Sequence, residues 1–207
     1  MLKAADIAPA EGVRTVGPES VDALAAITAD AFRDDPFNRW LFGGFDPMQR
    51  TFANLARHIY APNGFCQLLS EAGEDRAAAM WLLPGDSGNA SLSGTMQTYW
   101  GLLASGGWGA LMRGKAAGEA MAKHHPTQKH AYLFTVGVAS AGRGRGLGRR
   151  LVDPVLAACD RTGTMAYLEN SNPANRRFYA SLGFERVELF HPRPDSPPLE
   201  PMQRLPR

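Results

Sequence analysis

Apolar and polar positions along the chain alternate between two periods, and the changes of period mark out its elements. Val13-Arg14-Thr15-Val16 alternates at period two, as a half-buried strand does. After Pro18-Glu19-Ser20, the residues Val21, Leu24, Ala25, Ile27, Ala31 and Phe32 recur at helical spacing, with Thr28 the one polar residue inside the stripe. Asp34-Asp35-Pro36 should end that helix, because a residue before proline is pushed out of the helical region. Asp46-Pro47 opens a second helix with Phe52, Leu55, Ala56 and Ile59 on one side, closed by Asn63-Gly64. Residues 66–69 and 77–83 read as a hairpin through 71–75, and residues 87–93 as a polar loop. Helical material over 95–123 should break at Ser105-Gly106-Gly107. A buried strand over 131–138 precedes a helix carrying Leu147, Leu151, Val152, Val155, Leu156 and Cys159, where Pro154 predicts a kink without a break. A short strand over 164–169, a helix over 174–182 and a long final strand over 184–190 follow. Residues 1–12 read as a loose tail. The segment from His191, with six prolines, reads as irregular with at most a short edge strand near 202–205. The order predicts one mixed α/β domain over 13–207, without internal repeats.

The glycines between the 131–138 strand and its helix are the chain's most informative feature. In Arg143-Gly144-Arg145-Gly146-Leu147-Gly148, with Arg149 and Arg150 following, glycines permit tight backbone turns beside a helix N-terminus. Backbone N–H groups, the positive end of the helix dipole and the arginines together suit a pyrophosphate. The Rossmann spacing Gly-x-Gly-x-x-Gly is absent, and Gly148 is not followed by the Lys-Ser/Thr of a P-loop. Arg-Gly repeats also occur in disordered RNA-binding tails, but this one lies between two strongly apolar elements.

Composition narrows the function classes. The chain has 207 residues, 44% of them hydrophobic and 20% charged, which suits one domain with an ordinary core. A net charge of +2, partly gathered at Arg143, Arg145, Arg149 and Arg150, favours a phosphate ligand over nucleic acid. Cys66 and Cys159 lack metal-ligand spacing and read as buried thiols in a reducing compartment. No segment is long enough to span a bilayer, and Asp6 stands where a signal peptide would have its apolar core, so a soluble cytoplasmic protein is the expectation. His124, His125 and His130 fit no zinc pattern and read as loop histidines.

A second constellation, Asn175-Arg176-Arg177-Phe178-Tyr179-Ala180-Ser181-Leu182-Gly183-Phe184, follows the short strand. Periodicity turns Phe178 and Leu182 to the core and leaves Tyr179 as an amphipathic packing residue. The Arg-Gly-x-Gly-x-Gly loop followed by Asn-x-x-Phe-Tyr-x-x-x-Gly-Phe resembles the GNAT N-acetyltransferase superfamily in both order and spacing. Phe134-Thr135-Val136-Gly137-Val138, Pro154 and Leu168-Glu169 add a similarity to the puromycin N-acetyltransferase subgroup, with Trp81-Leu82-Leu83-Pro84 and His125-Pro126 matching more loosely. The motif-level match covers about residues 131–185. Ser140 departs from the family's usual proline and Asn170 from the subgroup's threonine, which leaves substrate identity open.

The resemblance implies a GNAT fold, with a mixed and mostly antiparallel sheet flanked by helices and splayed strands holding acetyl-CoA. It implies acetyl transfer from acetyl-CoA to the primary amine of a small molecule by direct attack in a ternary complex, with a protein lysine or N-terminus as the alternative acceptor. Val136, Gly137 and Val138 would bond the pantetheine and polarise the thioester, the loop from Arg143 through Gly144, Arg145, Gly146, Leu147 and Gly148 to Arg149 would hold the pyrophosphate, and Asn175 would reach the pantetheine arm. Tyr179 is the candidate general acid for the leaving thiolate. Glu169 is equally a general base, a substrate-orienting carboxylate or a plain surface charge. Asp34 and Asp35 either attract a cationic amine or form a loop of solvated charge. Phe37, Trp40, Phe42, Tyr99, Trp100 and Trp108 line an acceptor pocket or serve packing equally well. A coenzyme-binding protein without turnover is the competing class, and a homodimer stays open. No feature points to a membrane or nucleic-acid partner.

Overall fold

β2 (Phe65–Glu71) and β3 (Glu74–Leu82) form an antiparallel hairpin closed by Ala72-Gly73, both at positive φ, the two-residue turn that suits the twist of paired strands. The structure is a computed structural model and describes residues 1–86, 88 and 92–207. The loop expected over 87–93 lies mostly outside the described residues. β1 (Val13–Val16) pairs with β2, and β3 pairs with β4 (His130–Val138), which runs parallel to β5 (Met165–Asn170). β7 (Glu200–Arg204) then lies between β5 and β6 (Glu185–Arg186), giving a seven-stranded sheet in the order β1-β2-β3-β4-β5-β7-β6. Only β4 and β5 are parallel, so their connection must cross one face, and α6 (Leu147–Thr162) makes that crossing.

One face of the sheet packs on α6, whose Leu147, Leu151, Val152, Val155, Leu156 and Cys159 are all buried as the periodicity predicts. Pro154 lies inside α6 without ending it. The opposite face carries α1 (Val21–Ala31), α2 (Pro36–Phe42) and α3 (Phe45–Leu55). α3 passes through a π-helical stretch at Ala56–Tyr60 into a last turn, α4 (Ala61–Asn63). The wider π turn sets Tyr60 flat on Phe134, with ring centroids 4.2 Å apart. α5 (Leu92–His124) closes this side and breaks at Gly107, whose φ is +66°. α7 (Arg176–Ser181) follows a 3₁₀ turn at Pro173–Asn175 capped by Asn172.

Three expectations are corrected. The segment 1–12 is not a loose tail: Leu2 and Ile7 are buried in the α6-side core, and Arg161 and Arg150 donate to the carbonyls of Asp6 and Glu11 at 2.5 and 2.6 Å. Two apolar residues five apart carry no periodic signal, yet each contributes about 1.5–3 kcal/mol when fully buried. The final long strand shrinks to the two residues of β6, with single contacts at Val187 N to Pro201 O (2.9 Å) and at Phe190↔Leu199. Prolines 197, 198 and 201 on the facing chain have no N–H to donate, so a continuous ladder cannot form. The Pro-rich tail in turn supplies β7, an interior strand, because Pro201 needs to offer only its carbonyl to the short β6 side.

β7 is fastened by charge. Arg204 forms a two-pronged pair with Asp160 of α6 at 2.7 and 2.8 Å and donates its Nε to Leu182 O at 2.9 Å. The guanidinium holds the Asp160 carboxyl below the usual carboxylate range. A carboxyl with a depressed folded-state pKa stabilises the fold above its unfolded value of about 4, and that contribution is lost as pH falls through the folded value. Asp160→Asn is therefore expected to lower stability by about 3 kcal/mol at pH 7, leaving Arg204 buried without its partner, and to flatten the acid limb of the stability profile. Urea midpoints measured from pH 7 down to pH 3 check both. Leu2→Ala is expected to cost about 2–4 kcal/mol in the same assay, whereas a loose tail would give no change.

Candidate active site

The pairing of β4 with β5 stops after three positions, His130↔Met165, Ala131↔Ala166 and Tyr132↔Tyr167. Past Tyr132, β4 stays bonded to β3 as far as Val138, while β5 stays bonded to β7 as far as Asn170↔Glu200. The strands diverge, and the facing backbone edges lose their ladder partners. Two cavities open at the divergence, on opposite sides of Phe32, Val136 and Tyr179, which border both.

The first cavity measures about 530 Å³ and is bounded by the end of β4, the glycine loop, the first turn of α6, and Asn172, Asn175 and Phe178. Gly144 and Gly146 both sit at φ +76°, a left-handed conformation that glycine adopts without strain. They bend the chain so that the first turn of α6, whose N–H groups have no intrahelical partner, opens onto the cavity. Gly137 is held for another reason: a Cβ there would lie 2.8 Å from Ala31 Cβ, so only glycine lets β4 approach α1 this closely. Backbone donors and the positive end of a sixteen-residue helix lining a cavity of this size fit an anionic, elongated ligand such as a coenzyme with a pyrophosphate.

The predicted coenzyme residues divide on this geometry. Val136, Gly137, Val138, Arg143, Gly144, Gly146, Leu147, Gly148, Arg149 and Asn175 all border the first cavity; Arg145 does not, and pairs with Glu71 at 3.1 Å. Arg143 reaches the carbonyls of Asp30 and Ala31 at the end of α1, at 3.3 and 3.2 Å, and Arg149 reaches Ser181 Oγ at 2.7 Å. Ser140 donates its backbone N–H to Asp30 at 2.7 Å, a bond that the family's proline could not make. That bond holds the Asp30 carboxyl below its usual range. Asn170 donates to Glu200 at 2.9 Å, and Glu200 also takes Arg176 Nε at 2.8 Å. Both departures thus make structural bonds, and neither residue borders either of the two cavities. The buried Glu200 joins β5, β7 and the start of α7, and so places Asn175 and Tyr179.

The second cavity, about 290 Å³, is walled by rings and aliphatic chains, among them Phe32, Phe37, Phe42, Phe52 and Phe134. Its polar side chains among the described residues are Asn38, Thr51, Tyr132, Thr135, Ser171, Tyr179 and the carboxylate of Glu169. The Glu169 side chain is only 3% exposed, which removes the reading of a plain surface charge. Burial, and then the Glu169 charge, raise the pKa values of Tyr132 and Tyr167 above the ordinary phenol value. Tyr179 is also pushed up, first by burial and then by Asp35, so its hydroxyl stays protonated throughout the neutral range.

Asp34 and Asp35, read either as an attraction for a cationic amine or as a loop of solvated charge, border the first cavity and not the second. Asp34 is exposed and Asp35 is the N-cap of α2, accepting from Asn38 N and Ser171 Oγ at 2.8 and 2.7 Å. α2 itself escaped the sequence reading, although Asp35-Pro36 is a helix-start signal, an N-cap followed by proline at the first helical position. It delivers Phe37, Asn38, Leu41 and Phe42 to the cavity. Among the other candidate aromatics, Trp40 packs on Phe37, Trp100 and Trp108 are exposed, and the Tyr99 side chain lies outside the described residues. The histidines are not loose loop residues. His125 and His130 meet edge and face with Tyr132 and Tyr167, and His124 stacks on Phe190 at 4.0 Å.

No helix among the described residues is long and apolar enough to cross a membrane. Comparison with known proteins agrees with the geometry. The chain is 28% identical over 203 residues to the "Uncharacterized N-acetyltransferase C550.08" of Schizosaccharomyces pombe, covering 88% of this chain and 78% of that protein. It is 32% identical over 69 residues to N-alpha-acetyltransferase 50 of Danio rerio, covering 31% of this chain and 41% of that one. In three dimensions it is similar to the crystal structure titled histone acetyltransferase HPA2 and related acetyltransferase, from Corynebacterium glutamicum, with a TM-score of 0.70, 23% identity and coverage of 96% and 97% of the two chains. The family model described as Acetyltransferase (GNAT) family matches residues 63–184, from the last residue of α4 to the residue before β6, and with more than half of its length inside that match the chain belongs to the GNAT acetyltransferases.

Proposed function

We propose that the protein acetylates the primary amine of a small molecule with an apolar, ring-bearing body, by direct attack of the amine on acetyl-CoA while both are bound. GNAT acetyltransferases take their acetyl group from acetyl-CoA, which supplies an activated thioester. The observation that carries the acceptor class is the second cavity: aromatic walls, a volume of about 290 Å³ and, among the described residues, a single carboxylate, the buried side chain of Glu169. A ring system fills such a space, and one carboxylate suits one ammonium. A polyamine would bring further cations, for which this cavity has no second carboxylate among the described residues. The similarity of residues 131–185 to the puromycin N-acetyltransferase subgroup supports a small-molecule acceptor as well. The partial match to N-alpha-acetyltransferase 50 supports a second reading, in which the cavity takes the first side chain of a protein N-terminus.

In this reading, Glu169 orients the acceptor ammonium and takes its proton, freeing the lone pair for attack. Backbone N–H groups near Val136 and Val138, left without β5 partners, polarise the carbonyl under attack. Tyr179, bordering both cavities, returns a proton to the departing sulfur. The loop from Arg143 to Arg149 anchors the pyrophosphate, and Asn175 holds the pantetheine arm from the α7 side.

Free-thiol release, with arylalkyl amines, aminonucleosides, polyamines, lysine peptides and N-terminal peptides offered as acceptors, tests the reading. Turnover is expected with the ring-bearing monoamines; turnover with peptides alone would replace the small-molecule acceptor by a protein one. Tyr179→Phe is expected to lower kcat by about 10²–10⁴-fold with little change in KM for acetyl-CoA, and an unchanged kcat removes the acid role. Gly146→Glu is expected to abolish acetyl-CoA binding by calorimetry, because it places a carboxylate at the anion site and forces a left-handed backbone on a non-glycine residue. Normal affinity in that variant would sink the loop assignment.

A further inference from the structure

Residues 83–129 connect β3 to β4, two strands that lie side by side and antiparallel, and α5 within that connection walls the second cavity. Its lining residues are Leu102, Gly114, Ala117, Gly118 and Met121. The last four recur at helical spacing, so one face of α5 looks into the cavity. Three of those four are glycine or alanine, which leaves the wall thin. The helix is nevertheless held on both sides of this stretch. Arg113 donates its Nε to the Leu41 carbonyl at 3.1 Å, Ala117 is buried with Phe37, Phe190 and Leu199, and His124 pairs with Glu188.

A glycine inside a helix weakens it relative to alanine, so its presence asks for a reason. Gly107 has one in its positive φ, where the helix breaks. Gly101, Gly109 and Gly114 have another: a Cβ would come within 3.1 Å of Asn54 Nδ2, 3.1 Å of Arg113 Nη1 and 2.9 Å of Leu102 Cδ1, respectively. Gly118 has neither. Its backbone is helical, and a Cβ there would meet no described atom within 4 Å. Gly118 is also the one exposed residue among the described residues that line the cavity, the rest being buried or half-buried. The cavity thus reaches solvent where the helix lacks a side chain that packing would have allowed.

We propose that Gly118 is a specificity-determining residue, an opening in the α5 wall through which the body of a bound amine passes from the second cavity to solvent. This rests on an amine acceptor occupying that cavity. A closed pocket would take only amines that fit wholly within about 290 Å³. With an opening at Gly118, the ammonium is held at Glu169 and the ring among the aromatic walls, while a substituent on the far side of the ring leaves past α5. The substrate class is then a ring-bearing monoamine carrying an extended substituent. Gly114 offers no such exit, because Leu102 stands against it. Any large side chain at position 118 stands over the opening and shortens the amines the site admits.

Phenethylamine and its para-hexyloxy derivative share amine and ring and differ only in the tail, so together they test the opening. The wild-type protein is expected to turn over both with similar kcat/KM. Gly118→Trp is expected to lower kcat/KM for the hexyloxy amine about 100-fold more than for phenethylamine. Gly118→Ala, too small to close the opening, should keep the wild-type ratio and raise the urea midpoint, because the helix gains propensity and loses no packing. Rejection of the hexyloxy amine by a wild-type protein that turns over phenethylamine, or an unchanged ratio in Gly118→Trp, overturns the opening and leaves acetyl transfer standing. A lowered urea midpoint in Gly118→Ala overturns it too, by showing that packing holds the glycine. A second measurement needs no turnover. Cys66 and Cys159 are fully buried, and burial pushes both thiols up to about 12, so methyl methanethiosulfonate reacts first with the thiol introduced by Gly118→Cys. With desulfo-coenzyme A present, saturating hexyloxy amine is expected to slow that labelling about 10-fold, and phenethylamine to slow it far less. Equal labelling with and without the hexyloxy amine overturns the opening even where no amine turns over. Protected labelling without turnover of either amine supports the opening and counts against the acceptor reading alone.

Discussion

The parting of β4 from β5 is the constraint on which the rest of the structure depends. Each strand is held from its far side, so neither can close the gap. β4 is bonded to β3 along its length and pressed on α1 at Gly137, where Ala31 leaves no room for a Cβ. β5 is drawn toward β7, and the buried Glu200 ties Asn170 and Arg176 into one knot. A backbone N–H left unpaired in a buried place costs about 1–3 kcal/mol, so the divergence persists because the flanking pairings exceed what closing would recover. The unpaired edge is then available to a ligand that brings its own acceptors.

The same parting separates two kinds of chemistry. On one side, glycines, a helix start and arginine stems make a polar cavity suited to anions. On the other, aromatic rings leave one carboxylate and a few hydroxyls and amides. Val136 and Tyr179 are shared, so groups held in either cavity meet there. Charge is used sparingly: Arg143, Arg145 and Arg149 are each held by protein acceptors. The loop therefore presents a shaped backbone more than a set of mobile cations.

The coenzyme side was largely legible in the chain because its requirements are local. A strand, a glycine turn and the first turn of a helix are contiguous, and nearly every residue named there borders the first cavity. The acceptor side was legible only in part, at Phe37, Phe42 and Glu169, since its walls come from segments scattered between Phe32 and Leu199, most of which read alone as ordinary core. Asp34 and Asp35 show the difficulty. Their charge suited an amine site and a solvated loop equally, and only the folded chain shows Asp34 exposed and Asp35 capping α2. His125 and His130 carried no sequence signal beyond an unlikely metal spacing, because a cluster of rings from an inter-element turn, β4 and β5 exists only after those elements are stacked.

By itself the sequence determined most of the elements between Val13 and Leu182, with α2 the exception, together with the faces of α1 and α6, the hairpin and the loop before α6, because these rest on periodicity and on the conformations open to glycine and proline. Tertiary structure decided the burial of Leu2 and Ile7, the interior place of β7 in a proline-rich tail, the burial of Glu169 and the packing of the histidines. Those depend on which partners the folded chain brings together from distant positions, and no local pattern encodes a partner far away in sequence.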